Sequence, residues 1–180
     1  MLKSPLLAKI KNLQHGFTTL KSDPELVQYA RANTFTAKQV HKDKLLWWED
    51  HQANASKQSM EADAIATKNK NIAIGIYTAD CTPILLAALS PQKEAVAVLA
   101  IHAGWRGTAL QIAAKAFKDF ARAVILSTSA SDAKHLTFMA SIGPAISKDA
   151  FEVGSEVFNA FPGSKNFHFL RHDGSQNKYL

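Results

Sequence analysis

Two apolar runs, 83–89 (PILLAAL) and 95–101 (AVAVLAI), flank a short turn at Ser90-Pro91-Gln92-Lys93. Runs of this length with so few polar positions suit strands buried on both faces, and they demand cover from other layers of structure. The stretch that contains them, 78–107, also carries residues able to do chemistry. Cys81 is the chain's one cysteine, and His102 is one of its 7 histidines. Each directly follows an apolar, β-like segment.

The rest of the chain alternates strands with helices. A strand or two are expected over 1–19, ending in His15-Gly16-Phe17-Thr18-Thr19. Ser22-Asp23-Pro24-Glu25 is a helix start: a capping residue, proline in the first turn and an acid favoured by the helix dipole. That helix runs to about Asn33. A strand over 34–40 delivers His41 at its end, and 44–48 forms another. The polar stretch 51–60 is an exposed loop. Further strands are expected over 62–67 and 71–78, the latter with Ile72, Ile74 and Ile76 on one face. Beyond Thr108, Leu110, Ala113, Ala114, Phe117, Phe120 and Ala121 recur at helical spacing to about Val124. A serine-rich loop over 126–134, a strand over 136–142, a helix over 151–161 with Val153, Val157 and Phe158 inward, and a short strand over 167–170 complete the order. The expected fold class is mixed α/β, a single-domain sandwich with mixed β-sheets flanked by helices.

At 180 residues, one domain is the natural expectation. A chain of this length buries roughly 70% of its unfolded surface, so it needs no covalent staple. One cysteine excludes an internal disulfide framework. No stretch approaches the roughly 18 apolar residues of a membrane span, and the lysine-bearing N-terminus is a poor signal peptide. The expected setting is the cytoplasm. The formal charge is +6, but the lysines are scattered and not interleaved with aromatics, so nucleic acid is not expected as a partner. A generally positive surface favours phosphate or a phosphorylated substrate. Trp47, Trp48 and Trp105 read as packing residues, with Trp105 of interest as a neighbour of His102.

A catalytic zinc site takes three protein ligands and keeps a fourth position open. His41, Cys81 and His102 offer imidazole and thiolate, both good zinc donors, and such a metal lowers the pKa of its water towards neutrality. The three lie far apart in sequence, outside any short metal-binding motif. On composition alone, Cys81 reads first as a buried structural thiol and the histidines as ordinary polar residues. After His102, Ala103-Gly104-Trp105-Arg106-Gly107-Thr108 leads into a helix. It reads either as an anion site with Arg106 as guanidinium or as a tight turn with a solvated arginine. Asp80, beside Cys81, reads as a general acid or base, as an orienter of a histidine, or as a turn residue.

Six segments together resemble the laccase-domain family: HGFTT (15–19), KQVH (38–41), EADAIAT (61–67), TADCTPILL (78–86), AIHAGWRGT (100–108) and IGPAISKDAFEVGSEV (142–157). That family includes proteins described as multicopper polyphenol oxidases, purine nucleoside phosphorylases and the peptidoglycan editing factor group. The resemblance spans about 15–161. It implies a single-domain α/β sandwich, with zinc held by His41, Cys81 and His102. It also implies phosphorolysis of adenosine and inosine, adenosine deamination and cleavage of methylthioadenosine. The implied partners are a purine nucleoside and phosphate. Cys81, Asp80 and Arg106 are the expected catalytic residues, Arg106 as the anion contact. No organic cofactor is implied.

The chain departs from the family pattern in three places. Leu20 follows HGFTT where an arginine and then a glycine-rich segment are usual. Ala145 stands where some members have cysteine. The sequence stops at Lys178-Tyr179-Leu180, where members continue through another helix and strand, so one domain over 1–180 lacking the family's C-terminal end is expected.

Three other readings compete with the zinc enzyme. A copper-binding polyphenol oxidase shares the donor types, and copper is expected to bind in vitro. Four-copper chemistry, however, needs many more ligands, and His15, His51, His135, His168 and His172 form no His-X-His pairs. A metal-free cysteine hydrolase would use Cys81 as nucleophile and a histidine as base. A degenerate member would bind a nucleoside or a cell-wall precursor without turnover. Oligomeric state has no signature in the sequence.

Overall fold

The computed structural model describes residues 1–19, 21–48 and 60–161. Among the described residues seven strands form two sheets. The larger has the order β2 (Leu45–Trp48), β3 (Ala64–Thr67), β6 (Ala95–Ala103), β5 (Thr82–Leu89), β7 (Thr137–Ile142). The smaller pairs β1 (Thr34–Phe35) with β4 (Ala73–Ile74) in parallel. In the large sheet β2 and β3 run parallel and every other neighbour pair is antiparallel. The helices are α1 (Pro24–Asn33), α2 (Trp105–Ala109), α3 (Ile112–Leu126), α4 (Ala130–Ala133) and α5 (Ser155–Ala160). The architecture is the expected mixed α/β. No helix among the described residues is long and apolar enough to cross a membrane.

The two apolar runs become β5 and β6, the centre of the sheet, and both faces are covered. On one face Ala64, Ala66, Leu86, Ala88, Ala97, Leu99 and Ile101 pack under α3. The opposite face has two covers. Leu7 and Ile10 of the N-terminal segment lie on Ala87, Leu89 and Ala95. Phe35 and Ala37, near the small sheet, lie on Trp48 and Ile65, and Phe35 stacks on Trp48 at 3.6 Å. Many of the sheet positions are alanine, so the covering layers approach closely and supply the bulk themselves.

α3 is helical where the spacing predicts, but its inward face is rotated. Ile112, Ala116, Phe120 and Val124 are buried, whereas Leu110 and Phe117 are more than a third exposed. The helix carries apolar residues around most of its circumference, so periodicity alone cannot select the core stripe. The predicted single helix from Thr108 is also two. Gln111 adopts a left-handed φ of 63° and breaks α2 from α3.

Other differences share one cause: apolar alternation forms a strand only where a partner continues the ladder. Residues 1–19 form a 3-10 turn, Leu7–Lys9, and a single bridge between Leu2 and Phe17. The predicted strands 34–40 and 71–78 shrink to β1 and β4. The helix expected over 151–161 is confined to α5, with Val157 buried. The serine-rich loop holds α4, whose N-cap Ser129 accepts from the Asp132 amide. The loop at 51–59 and the strand at 167–170 lie outside the described residues.

Phe120 is fully buried, stacked on Trp47 at 5.7 Å and edge-on to Phe138 at 6.1 Å. Phe120→Ala is expected to cost about 3–5 kcal/mol of stability, read as a lowered urea midpoint.

Candidate metal centre

Strand pairing explains how two of the three predicted donors meet. In the β5–β6 register Thr82 faces Ala103 and Pro83 faces His102. Cys81, the residue before β5, therefore lands beside the end of β6. The third donor arrives from the other side of the sheet centre. The parallel β2–β3 pair starts at Leu45 opposite Ala64, which lays residues 41–44 alongside 61–63. His41, Cys81 and His102 come together so that their donor atoms all lie within 4.8 Å of one another. The imidazoles of His41 and His102 meet edge to face, 4.8 Å between centroids. His102 is buried, Cys81 is half-buried and His41 is exposed, so the cluster runs from the core to solvent.

The residue that organises this arrangement is Asp63, which the sequence reading passed over. It sits at the entry to β3, fully buried. One carboxylate oxygen, Oδ1, accepts from the His41 amide at 2.9 Å and lies 2.9 Å from His102 Nδ1. The other, Oδ2, accepts from the amides of Val40 at 3.1 Å and Lys42 at 2.9 Å. Its main chain joins in, since the His102 amide donates to the Asp63 carbonyl at 2.7 Å. Burial pushes the carboxyl up, but the Lys42 amide, the His102 ring and the amides of Val40 and His41 outweigh it and hold the group below the usual carboxylate range. An ionised Asp63 can only accept, so the bond puts a proton on Nδ1 of His102 and leaves Nε2 as the ring nitrogen available to face a ligand.

The donor set passes a chemical test for a metal of the zinc type: two imidazoles, one sulfur, and a carboxylate behind one of the histidines. The Cys81 thiol is pushed above its ordinary value by burial and by the Asp80 and Asp63 carboxylates. A nucleophilic cysteine needs the opposite environment, with a nearby cation lowering its pKa. In this setting a bound cation would convert the thiol to the thiolate.

Neither Asp80 nor Arg106 joins the donor group. Asp80 is exposed; its carbonyl accepts from the Ile146 amide at 3.0 Å, and its charge acts on Cys81. Arg106 is exposed in the single-turn helix α2, its guanidinium stacked 4.2 Å over the Trp105 ring. Trp47 and Trp48 are packing residues, as expected.

Two further residues, one of them in the turn after His102, have roles that the sequence alone does not show. Gln39 uses its side-chain amide to bond both backbone groups of Tyr77, each at 2.7 Å. Gly104 lies against the cluster itself. A Cβ there would stand 3.0 Å from Cys81 Sγ and 3.1 Å from the His41 ring. The available signal for Asp63 was an acid inside the apolar motif EADAIAT, since aspartate is almost never fully buried unless paired.

The profile of the family described as multi-copper polyphenol oxidoreductase laccase matches residues 20–180. An adenosine deaminase from an unknown prokaryotic organism is 40% identical over 111 residues, which are 62% of this chain and 37% of that protein. A purine nucleoside phosphorylase of Bacteroides thetaiotaomicron is 36% identical over 132 residues, covering 68% and 43% of the two chains. The match thus spans less than half the length of either curated relative. Among solved structures, a Neisseria meningitidis protein aligns with a TM-score of 0.60 and 29% identity, over 91% of this chain and 64% of that one. A Bacillus licheniformis protein shares the fold at a TM-score of 0.58 and 23% identity, over 85% and 58%.

Replacing Gly104 with alanine forces Cys81 and His41 to give way by a few tenths of an ångström. Gly104→Ala is expected to keep the parent's circular dichroism spectrum and thermal midpoint. Its affinity for Zn2+, measured by competition with a chromophoric chelator, is expected to fall severalfold.

Proposed function

The chain belongs to the multi-copper polyphenol oxidoreductase laccase family, and from that premise we propose that it is a zinc-dependent enzyme of purine nucleosides. Its reactions are phosphorolysis of adenosine, inosine and methylthioadenosine, together with adenosine deamination. The carrying observation is the convergence of His41, Cys81 and His102 within 4.8 Å, with His102 tied through Nδ1 to Asp63. Relatives named purine nucleoside phosphorylase and adenosine deaminase support the substrate class.

His41 and His102 would hold the ion through ring nitrogens and Cys81 through sulfur, leaving one position open. Bound there, zinc supplies Lewis acidity and lowers the pKa of a coordinated water towards neutrality. The chain's own groups do the rest. Asp63 holds His102 in the tautomer that presents Nε2. Asp80, exposed beside Cys81, is the acid or base that moves a proton at the purine or its leaving group. Arg106, carried on the Trp105 ring, is the phosphate contact. The thiol requirement suits the reducing cytoplasm.

Three observations rank the competing readings. Among the described residues His41, Cys81 and His102 are the one group of three or more such donors, too few for a four-copper oxidase. The raised pKa of Cys81 disfavours a metal-free cysteine nucleophile. A binding-only protein has no need of a donor set backed by a buried carboxylate.

Elemental analysis of protein purified without added metal is expected to find about one zinc per chain, the stoichiometry of a single tetrahedral site. Cys81→Ala should lose the metal, and with it base release from inosine in phosphate buffer and ammonia release from adenosine. Well-folded wild-type protein without metal would overturn the zinc enzyme. Metal-loaded protein inert on every nucleoside would overturn the substrate class.

A further inference from the structure

We propose that Gln39 and Asp63 are positioning residues that assemble the three donors of the metal centre before any ion arrives. The proposal rests on the reading of His41, Cys81 and His102 as ligands.

The three donors sit on three separate pieces of chain, and no disulfide or short motif holds the pieces in register. The loop at 39–42 carries His41, the segment at 77–81 carries Cys81, and β6 carries His102. Asp63 joins the first piece to the third. Its two oxygens take the amides of Val40, His41 and Lys42 together with the His102 ring. The loop needs such an anchor because His41 has a left-handed φ of 58°, which a β-carbon disfavours. Three consecutive amides aimed at one carboxylate hold it in that conformation.

Gln39 joins the first piece to the second. The chains around it run parallel: Thr34 pairs with Ala73, Phe35 pairs with Ile74, and the Gly75 amide donates to the Phe35 carbonyl at 2.9 Å. Beyond that point the backbone ladder between them ends. The Gln39 side chain takes over as a rung, its Oε1 accepting from the Tyr77 amide and its Nε2 donating to the Tyr77 carbonyl. Tyr77 is four residues before Cys81, so this rung fixes where the thiol emerges relative to His41. A primary amide is the one side-chain group that offers a neutral donor and acceptor at this spacing. A carboxylate cannot donate to the Tyr77 carbonyl.

The two residues also differ in a way that makes them separable. Asp63 is fully buried and its loss leaves four donors facing one another. In Asp63→Asn an NH2 must confront donors on one side of the carboxamide. Gln39 is half-exposed, so Gln39→Ala removes the rung with little burden on folding. Lys38, next to Gln39 in sequence, makes a surface ion pair with Glu61 at 2.9 Å. Lys38→Ala therefore reports what general loosening of this segment does.

The test uses the full chain, stripped of metal and titrated with Co2+ and with Zn2+ against a chromophoric chelator. Wild type is expected to take one Co2+ with a thiolate-to-cobalt charge-transfer band. Gln39→Ala should bind about 10-fold more weakly, and Asp63→Asn towards the 100-fold end of the range for residues behind metal ligands. Both should show a weaker or shifted band, while Lys38→Ala keeps wild-type affinity and spectrum. Unfolded Asp63→Asn would hand the decision to Gln39→Ala, whose metal-free thermal midpoint should match the wild type. Wild-type affinity and spectrum in Gln39→Ala, or an equal loss in Lys38→Ala, overturns the proposal and leaves the metal reading standing. Absence of any bound metal in wild type overturns both.

Discussion

A single buried carboxylate, that of Asp63, holds the centre of this molecule together. Placing an ion in the core is unfavourable unless every lone pair finds a donor. Here three amides and an imidazole provide them. The consequence reaches beyond the carboxylate. The loop before β2 is bound to the strand end of β3, and β3 is bound to β6 through its ladder. Remove the charge and the same four donors are left pointing at a void, each with its own desolvation cost. The geometry of His41 and the tautomer of His102 are thus two outcomes of one interaction.

Close backbone approach is the second condition. Gly104 lets the end of β6 pass against the sulfur and the His41 ring, and Gly107 lets the Lys42 carbonyl come within 3.0 Å of where a β-carbon would stand. Both belong to one hexapeptide, His102-Ala103-Gly104-Trp105-Arg106-Gly107. The loop with His41 is therefore clasped from two directions, by hydrogen bonds from below and by bare backbone above. Neither glycine is needed for an unusual φ; each is needed for want of a side chain.

The central hairpin was readable from residue types because it rests on a strong local signal, whereas the donor triad rested on the resemblance, its members lying too far apart for any short motif. The runs 83–89 and 95–101 suit buried strands, with Cys81 and His102 beside them. The layers that cover them were less readable. α3 is apolar on too many sides for its buried stripe to be chosen without a partner, and Phe117, which shares the helical spacing, lies more than a third exposed. The strands expected over 34–40 and 71–78 have the right alternation, yet their ladder stops after two rungs and a side chain, Gln39, continues it. The roles of Asp63 and Gln39 were unreadable for a related reason. Their partners are 21 to 39 residues away, and the apolar setting of Asp63 in EADAIAT signals burial without naming the distant amides it gathers.

That same distance governs when the centre can exist. Asp63 reaches forward 39 residues to His102 and back 23 to Val40, and contacts of such separation form late because long loops must close first. The β5–β6 hairpin by itself sets Cys81 beside His102, but His41 joins them only when Asp63 has gathered its loop across those distances. An ion held by all three donors would therefore enter only once β3, β6 and the His41 loop are joined, and would follow the folding of the sheet rather than template it.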